Sequence, residues 1–217
     1  LHGDRVLLAA APELGPRLDR LSIQVARKRA ERLEATARRT GDLTAFVACG
    51  KAYTTIFNRD PEAEGSDQVL YNAAVCFEQG KSVGLAISMY RRLEDLEAAE
   101  PQVRARGMAR LGVAYAQVAF YQQAARTLEQ YFDKYGATAG AHELKAAEDA
   151  LGDAVFFHKG LGQDDQAIKA TMKYIGHPRV TPTQRARAFF GLHAIYEKNG
   201  DDDGLVRHLR RYLREFL

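Results

Sequence analysis

The residues that could carry catalysis or bind metal are few and scattered. The six histidines are His2, His142, His158, His177, His193 and His208. No two stand four apart, and neither HExxH nor CxxC occurs, so the spacing that puts two metal ligands on one helix face is missing. Asp201-Asp202-Asp203 could offer carboxylate oxygens to calcium, but an EF-hand loop needs a Glu at its twelfth position, and position 212 is Tyr. The acidic run reads instead as a helix start, where the dipole favours negative charge. Cys49 and Cys76 both fall on apolar helical faces and are expected as buried thiols, not as a disulfide or a nucleophile. His158 and His193 sit in apolar rows and read as core histidines. Gly160-Leu161-Gly162 lacks the third glycine of a dinucleotide loop and follows a helix, so it reads as a turn. Ser22, Ser66, Ser82 and Ser88 are the four serines, and none lies in a GxSxG elbow. The expectation is a non-enzyme with no catalytic residue, metal site or cofactor.

The elements around these residues are helices. Leu70, Ala73, Ala74 and Phe77 recur at i, i+3, i+4 and i+7, as do Met108, Leu111, Gly112 and Tyr115, and Phe189, Leu192, His193 and Tyr196. Each row precedes a turn signal and a second apolar helix. Phe77 to Ala86, Tyr115 to Ala124 and Tyr196 to Leu205 each span 9 residues. The second-helix anchors Phe46, Ala86, Ala124, Ala167 and Leu205 follow one another at 40, 38, 43 and 38 residues. A fixed period in this range marks a helical solenoid. The fourth repeat registers on Leu151, Ala154, Val155 and His158, which keeps the same offset to Ala167. The first, Ala30 to Tyr53, turns at Thr40-Gly41.

Met108-x2-Leu111-Gly112-x2-Tyr115 with Ala124-x3-Leu128 resembles the tetratricopeptide (TPR) pattern, with Met where Trp is usual. Leu70-x2-Ala73-Ala74-x2-Phe77 with Ala86-x3-Tyr90 resembles it too, as does Phe189-x2-Leu192-His193-x2-Tyr196 with Leu205-x3-Leu209. Small residues at Ala74, Gly112, Ala86 and Ala124 let helices approach closely. The steps exceed the family's 34 residues by roughly a helical turn. Such long repeats, and the stretch from Gln68 to Phe77, resemble bacterial envelope TPR proteins, namely the outer-membrane-assembly lipoproteins and the Tol-Pal coordinator. The resemblance implies an all-α, right-handed superhelical solenoid of about five helix-turn-helix repeats, at about 27–60, 67–100, 105–138, 148–180 and 186–217. Residues 1–26 are expected as a linker or an incomplete repeat helix. It also implies a periplasmic or outer-membrane-associated scaffold, with a cytoplasmic location kept open.

Composition agrees with an ordinary folded chain: 217 residues, 46% hydrophobic and 27% charged, with a mean hydropathy of -0.36. No apolar run reaches the roughly 18–20 residues of a membrane span. The net charge of +3 hides an asymmetry, because residues 17–40 carry +5 and residues 41–101 carry -5. No aromatic side chain interrupts the basic stretch, so it lacks a stacking platform for bases and nucleic acid is not expected as a partner. The chain opens on Leu1, so it reads as processed or as part of a longer protein. Arg5 to Ala11 is apolar, short and ended by Pro12.

What remains is a binding surface. First helices of TPR hairpins line a concave side, and the face opposite the packing row presents Tyr71, Asn72, Val75, Arg106, Arg110, Val113, Phe156, Arg187 and Phe190 to a partner. Aromatic and Arg side chains are enriched at binding hot spots. TPR carboxylate clamps use an Asn in one repeat and two basic residues four apart in the next. Asn72 with Arg106 and Arg110 matches that half, whereas Glu31 and Ala35 stand where the preceding repeat would add Lys and Asn. The expected function is a non-catalytic scaffold that binds a protein or peptide, acidic or carboxylate-bearing, in a multiprotein cell-envelope assembly. The alternatives are the TPR arm of a larger enzyme or regulator and a nucleic-acid-binding solenoid. The amphipathic C-terminal helix, Leu205 to Leu217, reads as the last solenoid helix, and terminal helices also offer a route to self-association.

Overall fold

The fold rests on one turn used again and again. In each first helix the last row residue is followed, four positions on, by a residue in the left-handed region: Lys81 (φ 58°), Ala119 (φ 60°), Gly162 (φ 68°) and Gly200 (φ 63°). The next residue's N–H then donates back to the row residue's carbonyl, Ser82 to Phe77 (2.8 Å), Phe120 to Tyr115 (2.9 Å), Gln163 to His158 (2.9 Å) and Asp201 to Tyr196 (3.0 Å). This six-residue closure ends a helix while satisfying carbonyls its last turn would leave orphaned. Gly41 (φ 68°) serves the first hairpin, its N–H donating to Ala37 O at 2.8 Å, nine residues before Phe46. The 9-residue offset is this turn read in sequence.

The structure, a computed structural model, describes residues 14–136, 141–178 and 180–216. Arg5 to Ala11, His2 and the His142 side chain lie outside what it describes. The helices are α1 (Leu14–Thr40), α2 (Leu43–Arg59), α3 (Ser66–Gln79), α4 (Val83–Asp95), α5 (Pro101–Gln117), α6 (Tyr121–Tyr135), α7 (Ala141–Gly160), α8 (Asp164–Gly176), α9 (Pro182–Phe190), α10 (His193–Lys198) and α11 (Asp202–Phe216). No strand occurs among the described residues. No helix there is long and apolar enough to cross a membrane. The fold is all-α and TPR-like. α1 runs unbroken through residues 26 and 27.

The chain divides into two compact units, one ending at Gly107 and the other starting at Met108. In the first, α1 packs on α2, α2 on α3 and α3 on α4. Arg59 pairs with Asp19 (2.8 Å), and Arg27 donates to Glu64 O (2.8 Å), anchoring the N-terminal half of α1. In the second, α6 packs on α7, α7 on α8, α8 on α9, and α11 on both α9 and α10. The small residues Ala74, Ala86 and Ala124 are fully buried. At Gly112 a Cβ would sit 2.5 Å from the Leu128 side chain, so only glycine admits α6 at this distance. Local signals set the helix starts. Asp42 caps α2 by accepting from Thr44 N (2.8 Å), and Thr181 with Gln184 forms a capping box before Pro182. Asp201 accepts from Gly204 N (2.8 Å), so the acidic run is a cap as expected.

One expectation is overturned. Cys49 on α2 and Cys76 on α3 are not free thiols but a disulfide, with their Cα atoms 5.9 Å apart. The two helices are packed neighbours, and both cysteines lie on the faces they share. A bridge closing this loop removes unfolded-state entropy equivalent to about 3–4 kcal/mol.

Two predictions follow from this architecture. A thiol reductant should lower the urea-unfolding free energy by about 3 kcal/mol, and a Cys49→Ser/Cys76→Ser variant should lose that sensitivity. At equivalent turn positions, Ala119→Gly should raise stability by up to about 1 kcal/mol and Gly162→Ala should lower it by a similar amount. Chemical denaturation of both variants against the parent checks the opposite signs.

Candidate partner-binding faces

In the first unit the expected binding residues are held by a run of hydrogen bonds that crosses four helices. Arg106 Nη2 on α5 donates to Gln68 Oε1 on α3 (3.2 Å). Gln68 Nε2 donates to Asn72 Oδ1 one turn along (2.7 Å). The Asn72 side chain hydrogen-bonds the Tyr53 phenol on α2, and Tyr53 Oη donates to Glu34 Oε2 on α1 (3.1 Å). Arg38 closes the run with Nη2 2.7 Å and Nε 3.0 Å from Glu34 Oε1. Burial, then the adjacent Glu34 charge, pushes the Tyr53 phenol well above its ordinary range, so it stays a neutral donor. The Arg106 guanidinium also lies 4.8 Å from the centre of the Tyr71 ring, a cation–π arrangement on an exposed arginine.

The sequence-derived set therefore divides. Tyr71, Asn72 and Arg106 come together in the first unit. Val75 does not join them: it is 7% exposed and belongs to the core. Its helix is wedged between α2 and α4, so its apolar face is wider than the single row at Leu70 to Phe77. Arg110, one turn beyond Arg106 on α5, is half-buried and engaged within the fold. The Glu34–Tyr53 pair was not a candidate, since residues 19 apart on different helices leave no local signal.

In the second unit Val113 is 45% exposed, Phe156 72% and Phe190 42%, and Arg187 is exposed. Lys159 Nζ, one turn from Phe156, donates to Gly191 O beside Phe190 (2.8 Å). That bond ties α7 to the C-terminal end of α9 and caps it with positive charge. Phe190 is backed by His193 (ring centres 4.5 Å) and Tyr212 (5.2 Å), which fix its plane.

Several buried polar groups have partners within the fold. Asp67 accepts from Gln68 N (2.7 Å) and Glu100 N (3.0 Å), tying the start of α3 to the entry of α5. His158 is buried with Nδ1 2.7 Å from Gln163 Oε1 and Nε2 3.3 Å from Glu129 Oε1. It is a core histidine, as its row position implied. Asp164 accepts from Lys198 (2.8 Å) and Asn199 (2.9 Å), and these bonds hold its carboxyl below the usual range. Glu34, Cys49 and Cys76 place one carboxylate oxygen and two sulfurs within 4.8 Å of one another. With the sulfurs joined to each other, that cluster offers no thiolate to a metal.

No protein-family profile and no curated protein matches the chain in sequence. Solved structures match its fold. A MamA protein is 18% identical with a TM-score of 0.55, covering 87% of this chain and 91% of that one. A second MamA, AMB-1, is 12% identical with a TM-score of 0.55, covering 90% and 92%. A Podosopora anserina putative kinesin light chain with nearly identical TPR-like repeats is 15% identical with a TM-score of 0.53, covering 86% and 94%. At these identities the likeness establishes a TPR-like fold.

His208 on α11 generates a pH prediction. It is buried, stacked on Phe189 (ring centres 4.5 Å) and beside Tyr196 (5.3 Å). Desolvation holds it below its ordinary 6.5, against the backbone carbonyls of Phe190 and Phe189, which favour the charged ring. The unfolded chain thus binds this proton more readily than the folded one. The stabilisation is complete above about pH 7 and is lost as pH falls below 6.5 toward the depressed folded value. Thermal midpoints measured from about pH 7.5 to pH 5 should fall less steeply in His208→Leu than in the parent.

Proposed function

We propose that the chain is a non-catalytic scaffold that binds segments of partner proteins on the exposed faces of its first helices, within a cell-envelope assembly. The TPR-like fold supports a protein-interaction role. The observation that carries the reading is Arg106: an exposed guanidinium held over Tyr71 and fixed through Gln68 to Asn72. Such a group presents donors in a set direction, suited to a carboxylate. Phe156 and Phe190 supply the apolar anchors, since large exposed aromatic rings are what interfaces bury. An acidic or carboxylate-bearing segment suits the first face, and a segment with apolar side chains suits the second. The Cys49–Cys76 bridge supports the compartment, because structural disulfides persist where thiols are not kept reduced.

Capture from envelope extracts, with the parent and with a Tyr71→Ala/Arg106→Ala/Phe156→Ala variant as baits, tests this. The parent should retain at least one protein that the folded variant loses, and Arg106→Ala alone should weaken that partner about tenfold or more. Identical captured sets would overturn the reading.

A further inference from the structure

α1 carries a second apolar face that hairpin packing does not use. The helix packs on α2, with Ala30 and Ala37 fully buried. On its other side Leu14, Leu18, Leu21 and Val25 follow one line at spacings of 4, 3 and 4 residues. They are 38, 58, 49 and 68% exposed. At about 3.6 residues per turn, an outward arc of about 120° centred on that line runs the length of the helix, roughly 40 Å. Every residue of the arc is exposed. Its cations are Arg17, Lys28, Arg29, Arg32 and Arg39, and it holds no acid and no aromatic ring. The acids of α1 lie outside it. Asp19 pairs with Arg59 on α2 (2.8 Å), Glu34 pairs with Arg38 (2.7 Å), and Glu31 reaches Lys28 from the flank (3.0 Å). Arg17, Arg29, Arg32 and Arg39 form no ion pair among the described residues.

We infer that this face of α1 docks on the surface of an anionic phospholipid bilayer. Charge complementarity and the order of the residues on the helix carry the inference. A bilayer surface offers phosphates at one depth and hydrocarbon just beneath them. The aliphatic line dips into that boundary, while the cations beside it and beyond it extend their apolar stems and keep their charges among the phosphates. Anionic lipid attracts such a basic surface. A second copy of the chain would set one acid-free basic arc against another, and like charges repel. Nucleic acid would engage the cations but leave the four aliphatic side chains uncovered, and it would find no ring on which to stack a base. Because α2 holds the opposite side of α1, docking needs no unfolding. The face shares no residue with the partner-binding faces, so the inference stands apart from the scaffold reading.

The test is co-sedimentation of the whole chain with vesicles of phosphatidylcholine alone and of equimolar phosphatidylcholine and phosphatidylglycerol. The mixed vesicles should bind the chain saturably and at least about tenfold more tightly than phosphatidylcholine. Salt of about 0.5 M should remove most of that preference. Leu18→Ser/Leu21→Ser should weaken binding to the mixed vesicles about tenfold or more, and Arg17→Gln/Arg29→Gln/Arg32→Gln should abolish the preference for them. The chain has no tryptophan, so Val25→Trp gives a single reporter, whose emission should shift to the blue on mixed vesicles. No association with mixed vesicles, or equal association with both kinds, would overturn the inference. Unchanged binding in folded Leu18→Ser/Leu21→Ser would reject this face in favour of another surface. Should that variant fail to fold by circular dichroism, the reporter decides: unshifted emission on mixed vesicles rejects the site. Two further results in the absence of vesicle binding would also overturn it. Dimerisation lost in Leu18→Ser/Leu21→Ser would assign the face to a second copy, and binding of a synthetic Leu/Glu heptad peptide would assign it to a partner helix.

Discussion

Everything in this chain depends on ending a helix and starting the next in a fixed direction. The left-handed residue at Gly41, Lys81, Ala119, Gly162 and Gly200 does that. Four of these turns close with the same six-residue hydrogen bond. Such a turn leaves little freedom in how the second helix meets the first, so the packing row of one helix always faces the anchor of the next. The chain meets this demand with non-glycine residues at Lys81 and Ala119, where the left-handed backbone costs roughly 1–2 kcal/mol. Tolerance of that cost shows how strongly the hairpin packing over-determines the turn.

From the turns follow the close approaches. Antiparallel neighbours at short range need small residues on their shared faces, and Ala74, Ala86, Ala124 and Gly112 occupy those positions. The same proximity brings Cys49 against Cys76 and allows Tyr53 to reach Glu34 and Asn72 at once. The hydrogen-bonded run from Arg106 to Arg38 is thus a consequence of helix spacing, since each link crosses one interface or one turn.

Period and turn were legible in the sequence because they are local. Apolar rows at helical spacing and a 9-residue offset need no tertiary knowledge. The acidic cap at Asp201 was legible for the same reason. The disulfide was not. Each cysteine reads as one more small apolar residue on its own helix, and their pairing appears only when α2 and α3 are laid together. Val75 was misplaced by the same limit. A helical wheel assigns it to the face opposite Leu70, Ala73, Ala74 and Phe77, but α3 is covered on two sides, so Val75 is buried as well. Tyr71 and Asn72, flanking that wide face, keep partial exposure. Sequence spacing locates the centre of a packed face well and its edges poorly.

The polar run has an energetic meaning for binding that its individual bonds do not. Ordering a long side chain at an interface costs about 0.5–1.5 kcal/mol. Arg106 has already given up much of that freedom on folding, through Gln68 and the Tyr71 ring. Asn72 is likewise held between Gln68 and Tyr53. A partner carboxylate arriving here would meet donors already oriented, so a larger part of each charge-assisted bond is available as affinity. Glu34 balances this arrangement. Its charge is shared between Tyr53 and Arg38 at the far end of the run, which keeps the anion away from the guanidinium that a partner would use.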